Sequence, residues 1–163
     1  MGVTPIKVLF VCVKKGVRAA IAKAIVEQKS NGMIQATCSG FEPGPTPPVI
    51  IEELSNVLDV SITSESKTVF QHKKNDEDFD YVITLCDKVS HEQCDMFVEC
   101  VDVVCSHVPN RLQWTIPNLA NALELTGNDR TLFVKRVVEQ INLKVMQLLE
   151  IVEAKKLKEP ASY

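Results

Sequence analysis

Aromatic side chains and surplus charge are both scarce in this chain. Aromatics make up 6% of its 163 residues, and the formal net charge is only −3, with 18 Lys and Arg against 21 Asp and Glu. Nucleic-acid surfaces need a basic stripe with interleaved aromatics, so a nucleic-acid partner is not expected. No apolar run approaches the ~20 residues that cross a bilayer, so neither is a membrane. The opening stretch MGVTPIKVLFVC has no small-residue cleavage site, which argues against a secretory signal. Ile6 stands where an N-myristoylation signal needs Ser or Thr. Internal repeats and low-complexity tracts are absent. The six cysteines (Cys12, Cys38, Cys86, Cys94, Cys100 and Cys105) lack the Cys-x2-Cys spacing of common zinc sites. A metal held by Cys94, Cys100, Cys105, His91 and His107 is therefore disfavoured, and no cofactor is expected. An even cysteine count would mean a disulfide framework in a small secreted chain, but this one is long enough, and at 45% hydrophobic apolar enough, to build a core without it. The expectation is a cytoplasmic protein with mostly reduced thiols, in which any disulfide is transient and functional.

What is present is an alternation of strand and helix patterns. IKVLFVC (6–12), MIQATC (33–38), YVITLC (81–86) and FVECVDVVC (97–105) are apolar, β-rich runs and predict four strands. RAAIAKAIVEQK (18–29), VIIEELSNVLDV (49–60) and a long pattern from Asn128 to about Lys156 predict helices, with a further turn at 66–70. SGFEPGPTPP, HKKNDED, DKVSHEQCDM and SHVPNRLQWTIPN predict loops or irregular chain. Such alternation predicts an α/β fold: a single three-layer domain over residues 1–157, with a central, mainly parallel sheet flanked by helices, and a frayed tail at 158–163. Ligands of such sheets bind at the carboxyl ends of the strands. Cys12 and Cys86 both end predicted strands, so both belong at that edge.

VLFVCVKKGVRAA (8–20) holds a Cys-x5-Arg pattern between a strand and a helix. A loop entering a helix N-terminus presents backbone N–H groups and the positive end of the helix dipole, which suits an oxyanion. Val13, Lys14, Lys15, Gly16 and Val17 would form that loop, and Arg18 would add a bidentate fork. The same field favours the Cys12 thiolate, the nucleophilic form. The plainer reading makes Cys12 a buried strand-end cysteine and Arg18 a surface residue. Position between strand and helix favours the functional one.

Five stretches in order carry a resemblance: VLFVCVKKGVRAAIAKAI, TCSGFEP with PPVIIEEL, FDYVITLCDKVSHEQC, QWTIPNLANA and VKRVVEQI. Together they resemble the low-molecular-weight protein tyrosine phosphatase superfamily, most of all its thioredoxin-coupled arsenate reductase branch, over nearly the whole chain. The resemblance implies that Cys12 attacks a phosphate or arsenate held by the loop and Arg18. It implies that Cys86 attacks the resulting adduct, that Cys94 resolves the disulfide, and that thioredoxin restores the thiols. It implies a small oxyanion (phosphate, arsenate or sulfate) or a phosphorylated substrate as ligand. The residues themselves leave Cys86 and Cys94 open between this relay and the roles of core residue and loop thiol. Cys38, Cys100 and Cys105 are read as packing.

The chain departs from the family pattern at three places. Lys15 replaces an Asn that holds the loop. Ala19 replaces a Ser or Thr whose hydroxyl supports the thiolate, a hydrogen bond to charge worth ~1.5–3 kcal/mol. Asn118, four residues after Trp114, replaces the Asp that protonates the leaving oxygen, and general acids contribute ~10²–10⁴-fold. His91 and His107 are speculative substitutes for that acid, and His72 reads as solvated. Two functions follow. One is an arsenate reductase-like or phosphatase-like enzyme. The other is a catalytically impaired relative that binds an oxyanion, senses redox state or engages a regulatory protein partner.

Overall fold

The computed structural model describes residues 5–14, 17–42, 47–58, 78–87 and 94–158. Lys15, Gly16, the predicted turn at 66–70, the HKKNDED loop with His72, and the segment with His91 lie outside the described residues, as does the chain after Lys158. Four strands form one sheet: β1 (Ile6–Lys14), β2 (Ile34–Glu42), β3 (Tyr81–Cys86) and β4 (Asn110–Thr115). All three pairings are parallel, in the order β2-β1-β3-β4. Helices α1 (Val17–Lys29), α2 (Pro48–Val57), α3 (Cys94–Val104) and α4 (Gly127–Lys158) cover the sheet, with a 3-10 helix at Leu119–Glu124 between β4 and α4. The α/β architecture with four parallel strands agrees with the sequence reading.

Alternation along β1 divides the core. Val8, Phe10 and Cys12 face a large cluster with Ile21 and Ile25 of α1, Leu54 of α2 and Ile141 and Leu148 of α4. Leu9, Val11 and Val13 face a smaller cluster with Phe97 and Val101 of α3. Successive strand side chains point to opposite faces, so a continuous apolar run is what a strand buried on both sides requires. β3 does the same, with all six residues buried.

Two expectations need correction. FVECVDVVC is not a strand: Cys94–Val104 is a helix. Its buried residues Cys94, Phe97 and Val101, continued by Cys105 just beyond the helix, recur at three to four positions, while Val103 is 75% exposed. This helical period was masked by the β-branched content. The strand is instead NRLQWT, read from sequence as irregular. As an edge strand it buries only Trp114, so it carries polar residues where a central strand carries apolar ones. β1 and β2 also run further than expected, to Lys14 and Glu42, which pair with each other. α2 starts at Pro48, where a missing N–H costs the helix nothing.

Phe10 is fully buried at the sheet centre, its ring centroid 5.5 Å from that of Trp114. Phe10→Ala is expected to cost ~3–5 kcal/mol in urea unfolding, whereas Val103→Ala should change stability by less than about 0.5 kcal/mol.

Candidate functional site

The register of β1 against β3 gathers the predicted residues at one edge. Cys12 lies beside Leu85 and, on its other side, Gly40 of β2. Cys86 therefore sits one position beyond Cys12 at the carboxyl edge of the sheet. Their side chains leave on opposite faces: Cys12 packs in the large cluster and Cys86 in the smaller one, against α3. Cys86 is bonded to Cys94, the first residue of α3, with the two Cα atoms 6.0 Å apart. The interval of eight residues permits the pairing. Cys12 is fully buried and takes no part in a disulfide.

The flanking strand and helix extend into the Cys-x5-Arg segment. Val13 and Lys14 belong to β1, and Val13 is buried against the α3 side. Val17 already opens α1. Arg18 is not a surface residue: it is 2% exposed, in the first turn of α1, and its Nη1 donates to the Ile116 carbonyl at 3.0 Å. A guanidinium out of water is costly unless its N–H groups find acceptors, so this carbonyl fixes where the charge sits. Ala19 is fully buried and has no hydroxyl.

Asn118 caps the 3-10 helix. Its side chain accepts from Ala120 N at 3.0 Å, an N-cap bond that holds the amide against its own backbone. Its backbone N–H donates to Oδ2 of Asp87 at 3.0 Å. Asp87 follows Cys86 directly and is buried, 5% exposed. Sequence reasoning missed it by treating 87–96 as a uniform polar loop. The only signal available was a carboxylate at the end of a wholly buried strand. The Cys86 carbonyl accepts from Ile116 N at 3.1 Å, so the 116–118 segment is tied to the last residue of β3, to Asp87 just beyond it, and to Arg18.

His107 is exposed in the turn before β4, at the amino end of the sheet, so it is remote from Cys86 and Arg18 and does not replace the acid. Cys100 is half-buried and Cys105 buried. Among the described residues, no group of three or more His, Cys, Asp or Glu side chains could hold a metal ion, and no helix is long and apolar enough to cross a membrane. Cys38 lies on the Cys12 face, two register positions back on β2. Burial pushes its thiol pKa above the ordinary value of 9.0; Lys23 pulls the other way, while Cys12 and Glu27 add to the rise.

The low molecular weight phosphotyrosine protein phosphatase family model matches residues 7–159. A structure described as an arsenate reductase in oxidized state aligns at a TM-score of 0.65 and 20% identity, over 90% of this chain and 98% of that one. The Corynebacterium glutamicum thioredoxin-dependent arsenate reductase aligns at 0.58 and 22%, over 93% of this chain and 64% of that one. The YwlE arginine phosphatase from Geobacillus stearothermophilus aligns at 0.63 and 16%, over 98% and 100%. At these identities the three bear on the fold. A comparison with curated proteins finds no match.

A thiol whose folded pKa lies above its unfolded one keeps its proton longer in the folded state. Stability is then lost as pH rises through the ordinary value of 9.0 towards the higher folded one. Urea unfolding between pH 8 and 10 is expected to show the wild type losing stability faster than Cys38→Ser.

Proposed function

The chain belongs to the low molecular weight phosphotyrosine protein phosphatase family, and from that premise we propose that it is a reductase-like enzyme acting on a tetrahedral oxyanion through a thiol relay. The carrying observation is the Cys86–Cys94 disulfide at the same sheet edge as Cys12 and Arg18. Arg18, with loop amides at the start of α1, holds the oxyanion, arsenate being the substrate class. The Cys12 thiolate attacks arsenic and an oxygen leaves as water. The Cys86 thiolate then attacks the Cys12 sulfur. The sulfur–arsenic bond breaks, and its electron pair stays on arsenic, which leaves as arsenite. Cys94 attacks Cys86, releases Cys12 as a thiol and forms the Cys86–Cys94 bond. An external dithiol of the thioredoxin class reduces that bond and is itself oxidised. The relay requires the Cys86 side chain to turn from the α3 face towards Cys12. Its place as the last residue of β3, where the ladder ends, favours such a turn.

A second reading has its own support. Asn118 has no proton to give, its amide is committed to the cap, and β1 takes up Val13 and Lys14. These features favour a protein that binds phosphate or sulfate, or a phosphorylated or regulatory partner, with little phosphatase turnover.

Arsenate-dependent NADPH oxidation with thioredoxin and thioredoxin reductase separates the two. Turnover is expected in the wild type and should vanish in Cys12→Ser and in Cys86→Ala. Normal arsenate turnover in Cys86→Ala would sink the relay, and no turnover in folded, reduced wild type would leave the second reading. Independently, Asn118→Asp is expected to raise aryl phosphate hydrolysis, by up to ~10²–10⁴-fold if only the acid is missing.

A further inference from the structure

The hydrogen bonds at the sheet edge form a continuous connection from the disulfide to Arg18. Cys86, held to α3 by Cys94, accepts at its carbonyl from Ile116 N at 3.1 Å. The next residue, Asp87, accepts from Asn118 N at 3.0 Å. Between those two anchors, the Ile116 carbonyl accepts from Arg18 Nη1 at 3.0 Å. One short segment, 116–118, is thus gripped by the redox residue and its neighbour on one side and grips the buried guanidinium on the other.

We propose that Asp87 is a positioning residue that couples the redox state of the Cys86–Cys94 pair to oxyanion affinity at Arg18. This rests on the oxyanion role given to Arg18 above. In the disulfide form, α3 holds Cys86, so its carbonyl and the Asp87 carboxylate keep 116–118 in place and Arg18 is preset. Two electrons and two protons convert the disulfide into two thiols, with dithiothreitol as the reductant being oxidised to its cyclic disulfide. Cys86 then loses its anchor on α3, and part of the binding energy goes into ordering the clamp. The oxidised form is therefore the tighter binder. Binding and redox equilibria are linked reciprocally, so a bound oxyanion must favour the disulfide by the same factor. Abundant phosphate would therefore hold the protein in its oxidised form and oppose its reduction by an external dithiol.

The test is calorimetric titration of the full chain with inorganic phosphate, oxidised (with the Cys86–Cys94 bond confirmed by peptide mapping) and reduced by dithiothreitol. The oxidised form is expected to bind about fivefold more tightly, at the lower end of common couplings. Asp87→Ala should still bind phosphate, with a clearly smaller difference between the two states, because the Cys86 carbonyl still holds Ile116. Asp87→Asn keeps an acceptor for the Asn118 N–H and should keep the difference. If Asp87→Ala does not fold, Asn118→Pro removes the donor of the same hydrogen bond; φ is −71° there, which proline accepts. The wild-type disulfide equilibrium in a dithiothreitol redox buffer should shift towards oxidised by the same factor when phosphate is added. Equal affinities in the two wild-type states, or an undiminished difference in Asp87→Ala, overturns the coupling alone. No phosphate binding in either state overturns the oxyanion reading and the coupling with it.

Discussion

The register of β1 is the constraint on which the site depends. Set between β2 and β3, the strand is buried on both faces, and a shift of one residue would exchange the Val8, Phe10, Cys12 row with the Leu9, Val11, Val13 row. The cost of that exchange is what holds Cys12 beside Leu85. The position of Cys86 at the end of β3, and of Ile116 just past β4, follows from the same ladder. The chemistry therefore inherits its geometry from packing far larger than the site itself.

Burial of Arg18 adds the second constraint. A charged fork at 2% exposure must be met by acceptors, and the Ile116 carbonyl is one. That need gives the segment after β4 a reason to keep its path. Asn118 contributes to the same path by capping the 3-10 helix with its side chain and meeting Asp87 with its N–H. Its amide cannot serve as a general acid, and it serves here as a structural cap.

The sheet, its parallel sense and the shared edge of Cys12 and Cys86 were legible because short continuous apolar runs and the strand–Cys-x5-Arg–helix order are local signals. α3 was misread because Val and Cys dominate it, and only the spacing of Phe97, Val101 and Cys105 reveals its helical face. β4 was missed because an edge strand with one buried residue has no apolar run to show. Asp87 was missed for a different reason. Its role depends on a main-chain N–H 31 residues away, and nothing in its neighbours announces that partner.

Under the proposed relay, the residues at this site divide by task. Ala19 offers no hydroxyl to a thiolate and Asn118 no carboxylic acid to a leaving group, and both matter most for cleaving a phosphate ester. The thiol pair remains and is joined. Thiol–disulfide exchange depends on sulfur access and thiolate character rather than on a placed proton donor, because the leaving group is itself a thiolate. In the proposed relay, Cys12 and the Cys86–Cys94 pair exchange the electrons, and Arg18 holds the anion. Hydrogen bonds through the backbone of 116–118 link Cys86, Asp87 and Arg18, and on the proposed reading they join the anion site to the sulfurs.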